Sequence, residues 1–317
     1  MKSKFNIFFA LIFFASISLL AQNENTGTSG FTFLKVNYSA RAAAMGNAYT
    51  GLANEADAVF FNPAGLVQLK SPQASLTYMN YLEGINCGSA VYAHPMNDKT
   101  VFAFFAKGLT ATEDRTIADE MGQYAGVDGT FGMSDLVFGI SAARYVLDIL
   151  DVGINIKFIQ ESLDENSASA AVFDLAILHQ TTNKYLKLGI AVRNIGKQLS
   201  YFTDNEYQED MPTTFTAGFN YHPKDKIYVT IDVYKPADND FFGHLGIEYQ
   251  VHTAIALRAG YKTNATDWAT GGDKELFSGI SFGSGFDLKK YNMKLDYAIV
   301  SFGDLGFVNQ ISIKYIF

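Results

Sequence analysis

The sequence predicts an all-β protein: an antiparallel transmembrane β-barrel of about 14 strands with a short helical N-terminal hatch in its lumen. Three observations predict this class. The chain of 317 residues opens with a basic and apolar leader. Most of the chain after this leader alternates apolar and polar residues, the period of two that belongs to half-buried strands. The chain also ends on such a strand, with an aromatic residue last.

Residues 1–21 are predicted to be a cleaved secretory signal peptide. Lysines precede an apolar run that ends in Leu19-Leu20-Ala21, the order found in such signals. A membrane anchor is the alternative, but the run is shorter than the roughly 20 residues that a spanning helix needs. We therefore expect a signal peptide over 1–21, an N-terminal hatch over 22–71 and a transmembrane barrel over 72–317.

The composition argues against several classes of protein. The 24 basic residues are outnumbered by 32 acidic ones, which disfavours a nucleic-acid partner, because such partners need clustered positive charge. The single cysteine, Cys87, forbids an intrachain disulfide. No segment after the leader approaches the apolar length of a spanning helix, so a helical membrane protein is disfavoured as well.

Strands are predicted along the whole chain after residue 71. From 227 to 233, for example, every second residue is Ile or Val. Each predicted strand has roughly 9–12 residues, the length that a tilted strand needs to cross a bilayer, and an even number of them is typical of outer-membrane barrels. The predicted strands lie near 74–83, 85–94, 99–107, 135–146, 150–161, 169–180, 185–194, 213–222, 226–235, 242–250, 254–262, 276–286, 291–301 and 307–317.

The predicted connections alternate in length. Those that come after even-numbered strands are all short, as the periplasmic turns of outer-membrane barrels are. Three of the connections on the opposite side are long and polar, at 108–134, 195–212 and 263–275, and are predicted to be external loops. The short outer connections at Gly84 and 302–306 depart from this pattern.

Charged and polar residues lie on one face of the predicted strands. On lipid each charge would cost roughly 2–4 kcal/mol at mid-depth, so this face is predicted to line the lumen. Both signs occur, which favours a lumen filled by paired side chains and a plug over a pore of one sign. The residues are Lys157, Glu161, Arg193, Asp232, His244, Glu248, Arg258, Lys262, Lys294, Asp296 and Lys314.

The last strand carries a predicted barrel-assembly signal. Ile311, Ile313, Tyr315 and Phe317 share one face of it. A terminal aromatic residue on an amphipathic strand resembles the signal by which outer-membrane barrels are recognised for insertion. Tyr315 and Phe317 are therefore the candidate recognition residues.

Motifs for catalysis or metal binding are weak. Gly279-Ile280-Ser281-Phe282-Gly283 matches the nucleophile-elbow pattern, but that motif needs a sharp turn into a helix, whereas Ser281 falls inside a predicted strand. A barrel-borne esterase is the enzymatic alternative. The acidic segments 204–206 and 238–240 offer oxygen ligands for Ca²⁺, although solvated loops are the simpler interpretation. We predict no enzyme, no catalytic residue, no metal and no cofactor.

The segment 39–66 differs from the rest, because it does not alternate like a strand. Ser39 can cap a short helix whose body is rich in Ala, the strongest helix former. A second helical turn is expected near 54–59, and Asn62-Pro63-Ala64-Gly65 is expected to form a turn. Arg41 and Asp57 could pair with the lumen charges. A surface helix outside the barrel is the alternative.

This segment also carries a family resemblance. Ser39-Ala40-Arg41, Met45-Gly46-Asn47-Ala48, Ala56-Asp57-Ala58 and Asn62-Pro63-Ala64-Gly65-Leu66 resemble the N-terminal signature of the FadL superfamily, and most closely its PorV/PorQ branch. Asn194-Ile195-Gly196-Lys197, Tyr201-Phe202 and Met211-Pro212-Thr213-Thr214 resemble a strand and loop of the same branch. The hatch residues that the resemblance singles out are Ser39, Arg41, Met45, Gly46, Asn47, Asp57, Asn62, Pro63, Ala64 and Gly65.

The resemblance implies a barrel embedded in the outer-membrane lipid of a Gram-negative-type bacterium, with an N-terminal hatch in its lumen. PorV/PorQ members serve type IX secretion, so the leading expectation is an accessory or interaction component of a secretion or surface-attachment system. Its partners would be exported cargo or secretion components. FadL members pass hydrophobic molecules, so the alternative is a transporter of long-chain fatty acids or other hydrophobic small molecules.

Overall fold

The computed structural model describes residues 26–204 and 207–317, in which the chain forms a closed barrel of fourteen antiparallel strands. This confirms the predicted fold class. The predicted signal peptide lies outside the described residues and stays a prediction. The strands are β1 Gln73–Asn80, β2 Asn86–Asn97, β3 Thr100–Ala118, β4 Tyr124–Leu147, β5 Leu150–Leu163, β6 Asn166–Gln180, β7 Leu186–Ser200, β8 Thr214–Lys224, β9 Ile227–Pro236, β10 Phe242–His252, β11 Ile255–Lys262, β12 Ile280–Leu288, β13 Met293–Ser301 and β14 Phe307–Ile316.

Helices are few and short. The one α-helix among the described residues, α1, is Ala40–Ala44. No helix in the described part of the chain is long and apolar enough to cross a membrane. The 3₁₀ helices are Thr32–Lys35, Ala56–Phe60, Pro63–Gln68, Leu82–Gly84, Thr263–Trp268, Glu275–Phe277, Lys289–Tyr291 and Gly303–Leu305.

The two faces of the barrel wall differ as the period of two predicts. In β3, for instance, Phe104 is 64% exposed and Phe105 only 5% exposed. The predicted polar face points inward, where Asp232, Glu248 and Lys314 are buried. Because neighbouring strands pair on both sides all round the barrel, no backbone edge is left open within the described wall.

The strands end at two distinct rims. Connections after the even-numbered strands, such as 98–99 and 148–149, form the rim that we call the turn end. Connections after the odd-numbered strands form the loop end, and the long ones there are 201–213 and 263–279. The predicted asymmetry is thus present, although the loop end also carries short connections such as 164–165.

Two predicted loops are partly wrong. The predicted loop 108–134 is largely a β-hairpin, since β3 runs on to Ala118, β4 begins at Tyr124, and only 119–123 form the turn. Register pairs such as Glu113 with Phe131 hold this hairpin together beyond the barrel rim. Both of its faces meet solvent there, so no apolar alternation marks it in the sequence. Similarly, β7 continues to Ser200, which shortens the predicted loop 195–212.

The N-terminal segment lies inside the barrel, as the predicted hatch requires. Its chain runs from the loop end into the lumen and reaches β1 at the turn end. Tyr38, Tyr49, Phe61 and Leu66 are fully buried along it. The surface-helix alternative is therefore wrong. The turn expected at Asn62-Pro63-Ala64-Gly65 is the start of a 3₁₀ helix, because Asn62 caps it and proline occupies its first position.

Candidate functional site

Helix α1 is seated against the inner faces of β11 to β14. Ser39 caps it as expected, since its Oγ accepts a hydrogen bond from the Ala42 N–H. The Ala40 N–H donates to Ser312 Oγ on β14 at 2.9 Å. Small residues make this approach possible: a Cβ on Gly260 of β11 would overlap the backbone of Gly46. The helix therefore rests directly on the barrel wall.

A network of buried ion pairs joins the lumen segment to the wall. Arg41 Nη2 lies 2.8 Å from Glu248 Oε1 on β10, and Arg41 Nη1 lies 3.1 Å from Glu55 Oε1. Lys314 Nζ on β14 lies 2.6 Å from Glu55 Oε2. Arg258 Nε approaches Glu248 Oε2 at 2.6 Å. The remaining members are Asp57, Lys294 and Asp296.

The charges of this network balance, with four basic and four acidic side chains. Burial by itself raises the pKa of Glu55, but the charges of Arg41, Lys294 and Lys314 outweigh it and hold that pKa well below its usual value. Glu55 is therefore a carboxylate at neutral pH. The structure places Arg41 and Asp57 in this network, so the expected pairing with lumen charges occurs.

A second anchor holds the loop after α1. Asp232 on β9 accepts hydrogen bonds from the N–H groups of Tyr49 at 2.9 Å and Thr50 at 2.8 Å. The Tyr234 hydroxyl donates to the Asn47 carbonyl at 2.8 Å. Asn47 has φ +64°, in the left-handed region that asparagine tolerates better than most residues. The glycine and asparagine of the predicted Met45-Gly46-Asn47 motif thus suit their backbone geometry, since both have positive φ.

The Asn62-Pro63-Ala64-Gly65 motif presses against β5 and β6. Asn62 Nδ2 donates to the Thr50 carbonyl at 2.9 Å and to the Ile177 carbonyl of β6 at 3.0 Å. A Cβ on Gly153 of β5 would overlap Ala64, and a Cβ on Gly65 would overlap Ala53. These residues fix how closely the segment packs on the wall.

The second family-like motif forms a β-bulge on β7, the strand next to β6. Asn194 of β7 has φ +61°, and its N–H donates to Asp174 Oδ1 of β6 at 2.7 Å. Its carbonyl accepts a hydrogen bond from the Thr213 hydroxyl at 3.0 Å. The bulge therefore ties β7 to the loop before β8. Among the described residues, no hydrogen bond or ion pair joins Asn194 to the Asn62-Pro63 motif.

The predicted assembly residues lie apart from the lumen, at the turn end of the outer face. The rings of Tyr315 and Phe317 are 4.8 Å apart, and Phe317 also meets Tyr92 of β2 at 5.9 Å. Phe317 is 61% exposed. An exposed aromatic terminus is compatible with recognition, which stays a prediction.

A cavity of about 490 Å³ lies above the lumen segment, toward the loop end. Its apolar wall comes from one side of the barrel, with Met79 from β1, Leu109 from β3, Val300 from β13 and Val308 from β14. The lumen segment itself forms the floor. Further apolar lining comes from Phe33, Leu34, Val36, Tyr81, Ile85, Met133, Trp268 and Phe302. Such a volume falls within the usual range of small-molecule sites.

Basic side chains face the same cavity without a carboxylate partner. Arg193 Nη1 donates to the Phe60 carbonyl at 2.8 Å, and its guanidinium stands 5.7 Å from the Tyr234 ring. Lys262 Nζ stands 5.6 Å from the Phe302 ring. Among the residues that the structure describes, neither Arg193 nor Lys262 forms an ion pair. Two positive charges without an ion-pair partner among the described residues therefore border the cavity.

Sequence reasoning missed this cavity. Arg193 and Lys262 are predicted to be lumen charges, but the apolar residues around them are not predicted to form a site. A signal was present: on β1, β13 and β14 the inward positions nearest the loop end are apolar, whereas those nearer the turn end are polar. That change along the inner face marks where the lumen turns from a filled core into a pocket.

A second, polar cavity of about 380 Å³ opens toward the turn end. Arg41, Glu55 and Glu248 line it, whereas Ala43 and Asn47 line the upper cavity. The lumen segment and its ion network therefore separate the two spaces.

The enzymatic and metal alternatives gain no support from the geometry. Ser281 is fully buried, and its Oγ accepts from the Gly46 N–H at 3.0 Å and donates to the Ala44 carbonyl at 3.3 Å. It therefore serves to seat the lumen segment. In 26–204 and 207–317 no group of three or more His, Cys, Asp or Glu residues is placed to hold a metal ion. Asp238 instead pairs with Lys35.

No protein-family model matches the sequence, and no curated protein matches it. Solved structures do match. The toluene transporter TodX of Pseudomonas putida superposes with a TM-score of 0.59 at 13% identity, over 88% of this chain and 96% of that one. The CymD monoaromatic hydrocarbon channel gives 0.62 at 12% identity, over 89% and 98%.

A FadL homologue from Pseudomonas aeruginosa gives a TM-score of 0.57 at 13% identity, over 94% of this chain and 99% of that one. At such identities the likeness is one of fold. The chain therefore has the fold of FadL-like outer-membrane barrels. TodX and CymD are described as a transporter and a channel rather than as enzymes.

Proposed function

We propose that this protein is an outer-membrane channel for hydrophobic small molecules. The observation that carries the proposal is the apolar cavity of about 490 Å³ above the lumen segment. It is enclosed by strands from opposite parts of the barrel and floored by a segment that blocks the straight path to the turn end. TodX and CymD, whose fold it shares, are described as a toluene transporter and a monoaromatic hydrocarbon channel.

The basic side of the cavity favours ligands with an anionic group. Arg193 and Lys262 border the apolar wall without carboxylate partners among the described residues. A charge-assisted hydrogen bond to a carboxylate would stabilise both more strongly than a neutral acceptor would. The proposed ligand class is therefore an amphipathic molecule with an apolar body, of which a long-chain carboxylate is the simplest example.

A secretion-accessory role of the PorV/PorQ type is the second candidate. The feature that favours it is the β3–β4 hairpin, which projects beyond the rim and exposes apolar side chains such as Met121, at 85%, and Tyr124. An exposed apolar surface of this kind can bind another protein. The apolar cavity inside the barrel favours the channel.

Trp268 provides a direct test, because it is the only tryptophan of the chain and lines the cavity. With the barrel reconstituted in lipid nanodiscs, a straight-chain carboxylate should change Trp268 fluorescence in a saturable way. Val308→Phe should fill part of the apolar wall and weaken binding about tenfold, or about 1.4 kcal/mol. Ile313→Phe on the lipid-facing side of the same strand is the matched control and should leave binding unchanged.

Native mass spectrometry separates the two candidate functions. A co-purified amphipathic small molecule, lost in Val308→Phe, supports the channel. Stoichiometric association with a large exported protein, lost when the hairpin is shortened and retained in Val308→Phe, supports the secretion role instead.

A further inference from the structure

Two carboxylates form an acidic wall in the same cavity. Asp135 of β4 and Glu161 of β5 are direct cross-strand partners, so their side chains lie on one face, and both line the cavity. Asp135 is only 2% exposed. Its Oδ1 and the Oε2 of Glu161 are buried without a hydrogen-bond partner among the described residues. Neither side chain takes part in an ion pair there.

Nearby basic groups are already engaged with other partners. Lys107 of β3 donates to the carbonyls of Leu34 at 3.2 Å and Val36 at 2.8 Å. Lys157 of β5 pairs with Asp174 at 2.6 Å. Within the described part of the chain, the acidic wall therefore has no protein cation to neutralise it.

Buried polar groups without partners are rare in folded proteins, because leaving one unsatisfied costs about 1–3 kcal/mol, and more for a charged group. Here they are concentrated. Asn47, Arg193, Asn264 and Gln310 also have buried side-chain atoms without a hydrogen-bond partner in the described structure, and all of them line this cavity. These atoms leave hydrogen-bonding capacity around one space that a polar ligand can use.

The acidic and basic groups also lie at different places around the cavity. Arg193 and Lys262 stand beside the rings of Tyr234 and Phe302. Asp135 instead pairs with Leu109 of β3 in the register, beside the apolar wall. No ion pair joins the two sets of described residues, and in the barrel order the apolar wall of β13, β14, β1 and β3 lies between Lys262 on β11 and Asp135 on β4.

We propose that Asp135 and Glu161 form a second polar subsite, which takes a hydrogen-bond donor, an ammonium or a hydroxyl group, at one end of an amphipathic ligand whose anionic group lies across the apolar wall, toward Lys262. This inference rests on the proposed channel function and narrows its ligand to molecules with polar groups at both ends. An ammonium would pair with the carboxylates, and a hydroxyl would donate to them.

Matched ligands test the subsite through Trp268 fluorescence in nanodiscs. The three probes are a straight-chain carboxylate, its ω-hydroxy derivative and its ω-amino derivative, at several chain lengths. At the best length, at least one ω-substituted probe should bind about tenfold more tightly than the parent carboxylate. A purely hydrophobic pocket would bind the parent carboxylate more tightly than either ω-substituted probe, because the second polar group would lose its hydration without gaining a hydrogen bond.

Variants locate the effect. Asp135→Asn and Glu161→Gln keep the side-chain shape and remove the charge, so the preference for the ω-amino probe over the parent carboxylate should fall to about twofold or less. Glu165→Gln, at the exposed turn after β5, is the matched control and should keep the full preference. The heat-dependent electrophoretic mobility of each variant shows whether its barrel is folded.

The outcomes distinguish this inference from the function on which it rests. If both ω-substituted probes bind no more tightly than the parent carboxylate, the subsite is overturned and the channel function stands. Loss of preference in Glu165→Gln as well would also overturn it. If no straight-chain probe of any length changes Trp268 fluorescence, both the channel function and the subsite are wrong.

Discussion

Glu55 shows how a single side chain can hold the lumen segment in place. Its carboxylate contacts Arg41 of the same segment and Lys294 and Lys314 of the wall. A buried ion pair is weak support for stability in itself, since both partners lose their hydration. Removing one partner is different, because it leaves the others charged and uncompensated.

Glu55→Gln is therefore expected to destabilise the folded barrel by about 3–5 kcal/mol. Loss of the negative charge leaves Lys314 and Arg41 with fewer counter-charges in a buried setting. The midpoint of thermal unfolding, followed by circular dichroism in detergent, measures the effect. Glu165→Gln is the control, and as an exposed site it should change stability by no more than about 0.5 kcal/mol. Equal midpoints for the two variants would show that the network does not anchor the segment.

At the scale of elements, the β3–β4 hairpin is independent of the barrel it extends. Between 111 and 132 its strands pair with each other, whereas β2 pairs with β3 only as far as Thr110 and β5 pairs with β4 only from Met133 onward. One ion pair, Arg115 with Asp164, joins it to a neighbouring turn. Exposed pairs of this kind contribute about 0–1 kcal/mol.

Replacing 113–131 by an Asn-Gly turn should therefore leave the thermal midpoint and the binding of the straight-chain carboxylate unchanged. Asn-Gly suits the tight turn that would join the shortened strands. Circular dichroism and Trp268 fluorescence measure the two properties. A large drop in the thermal midpoint would mean that the hairpin supports the barrel. The matched comparison is deletion of β13 and β14, the last pair of strands in the barrel wall, which should prevent folding.

At the scale of the whole molecule, charge is distributed unequally between the two rims. The described connections at the loop end contain one basic residue, Lys274, against many acidic ones, whereas lysines 99, 184, 226, 289 and 290 lie in the turn-end connections. A ligand that approaches the cavity from the loop end meets a negative rim. The acidic residues are Glu83, Asp119, Glu120, Asp164, Glu165, Asp204, Glu209, Asp210, Asp238, Asp240, Asp267, Asp273, Glu275 and Asp304.

This rim should slow the entry of anionic ligands at low ionic strength. Salt screens exposed charges beyond about 8 Å at physiological concentration. The association rate of a straight-chain carboxylate should therefore rise severalfold between dilute and physiological salt, and that of the matched neutral alcohol should stay constant. Stopped-flow measurement of Trp268 fluorescence gives both rates. A carboxylate rate that falls with added salt would mean that the basic groups of the cavity, rather than the rim, govern entry.

Much of this architecture is predictable from the sequence, for a physical reason. A barrel wall separates lipid from lumen, so each strand must alternate, and a one-residue shift would place charges such as Lys157 in the bilayer. The strand count, the inward charges and the short turns result from that constraint. The hatch was predictable because 39–66 lacks the alternation, while its Ala, Gly and Asn-Pro positions suit a segment packed closely on a wall.

Tertiary structure alone decided the partners and the pocket. Arg41 and Glu248 are 207 positions apart, and nothing in their local sequence pairs them. The cavity exists only because closure brings β1, β3, β13 and β14 around the same space as β7 and β11, with the lumen segment beneath. The positions of the acidic and basic side chains around the cavity likewise depend on how the strands are arranged in the barrel, and cannot be read from the local sequence. The sequence by itself therefore determined the barrel and the segment that occupies its lumen. The closed tertiary structure decided where that segment ends and the cavity begins, because only closure of the barrel fixes which inward side chains face each other.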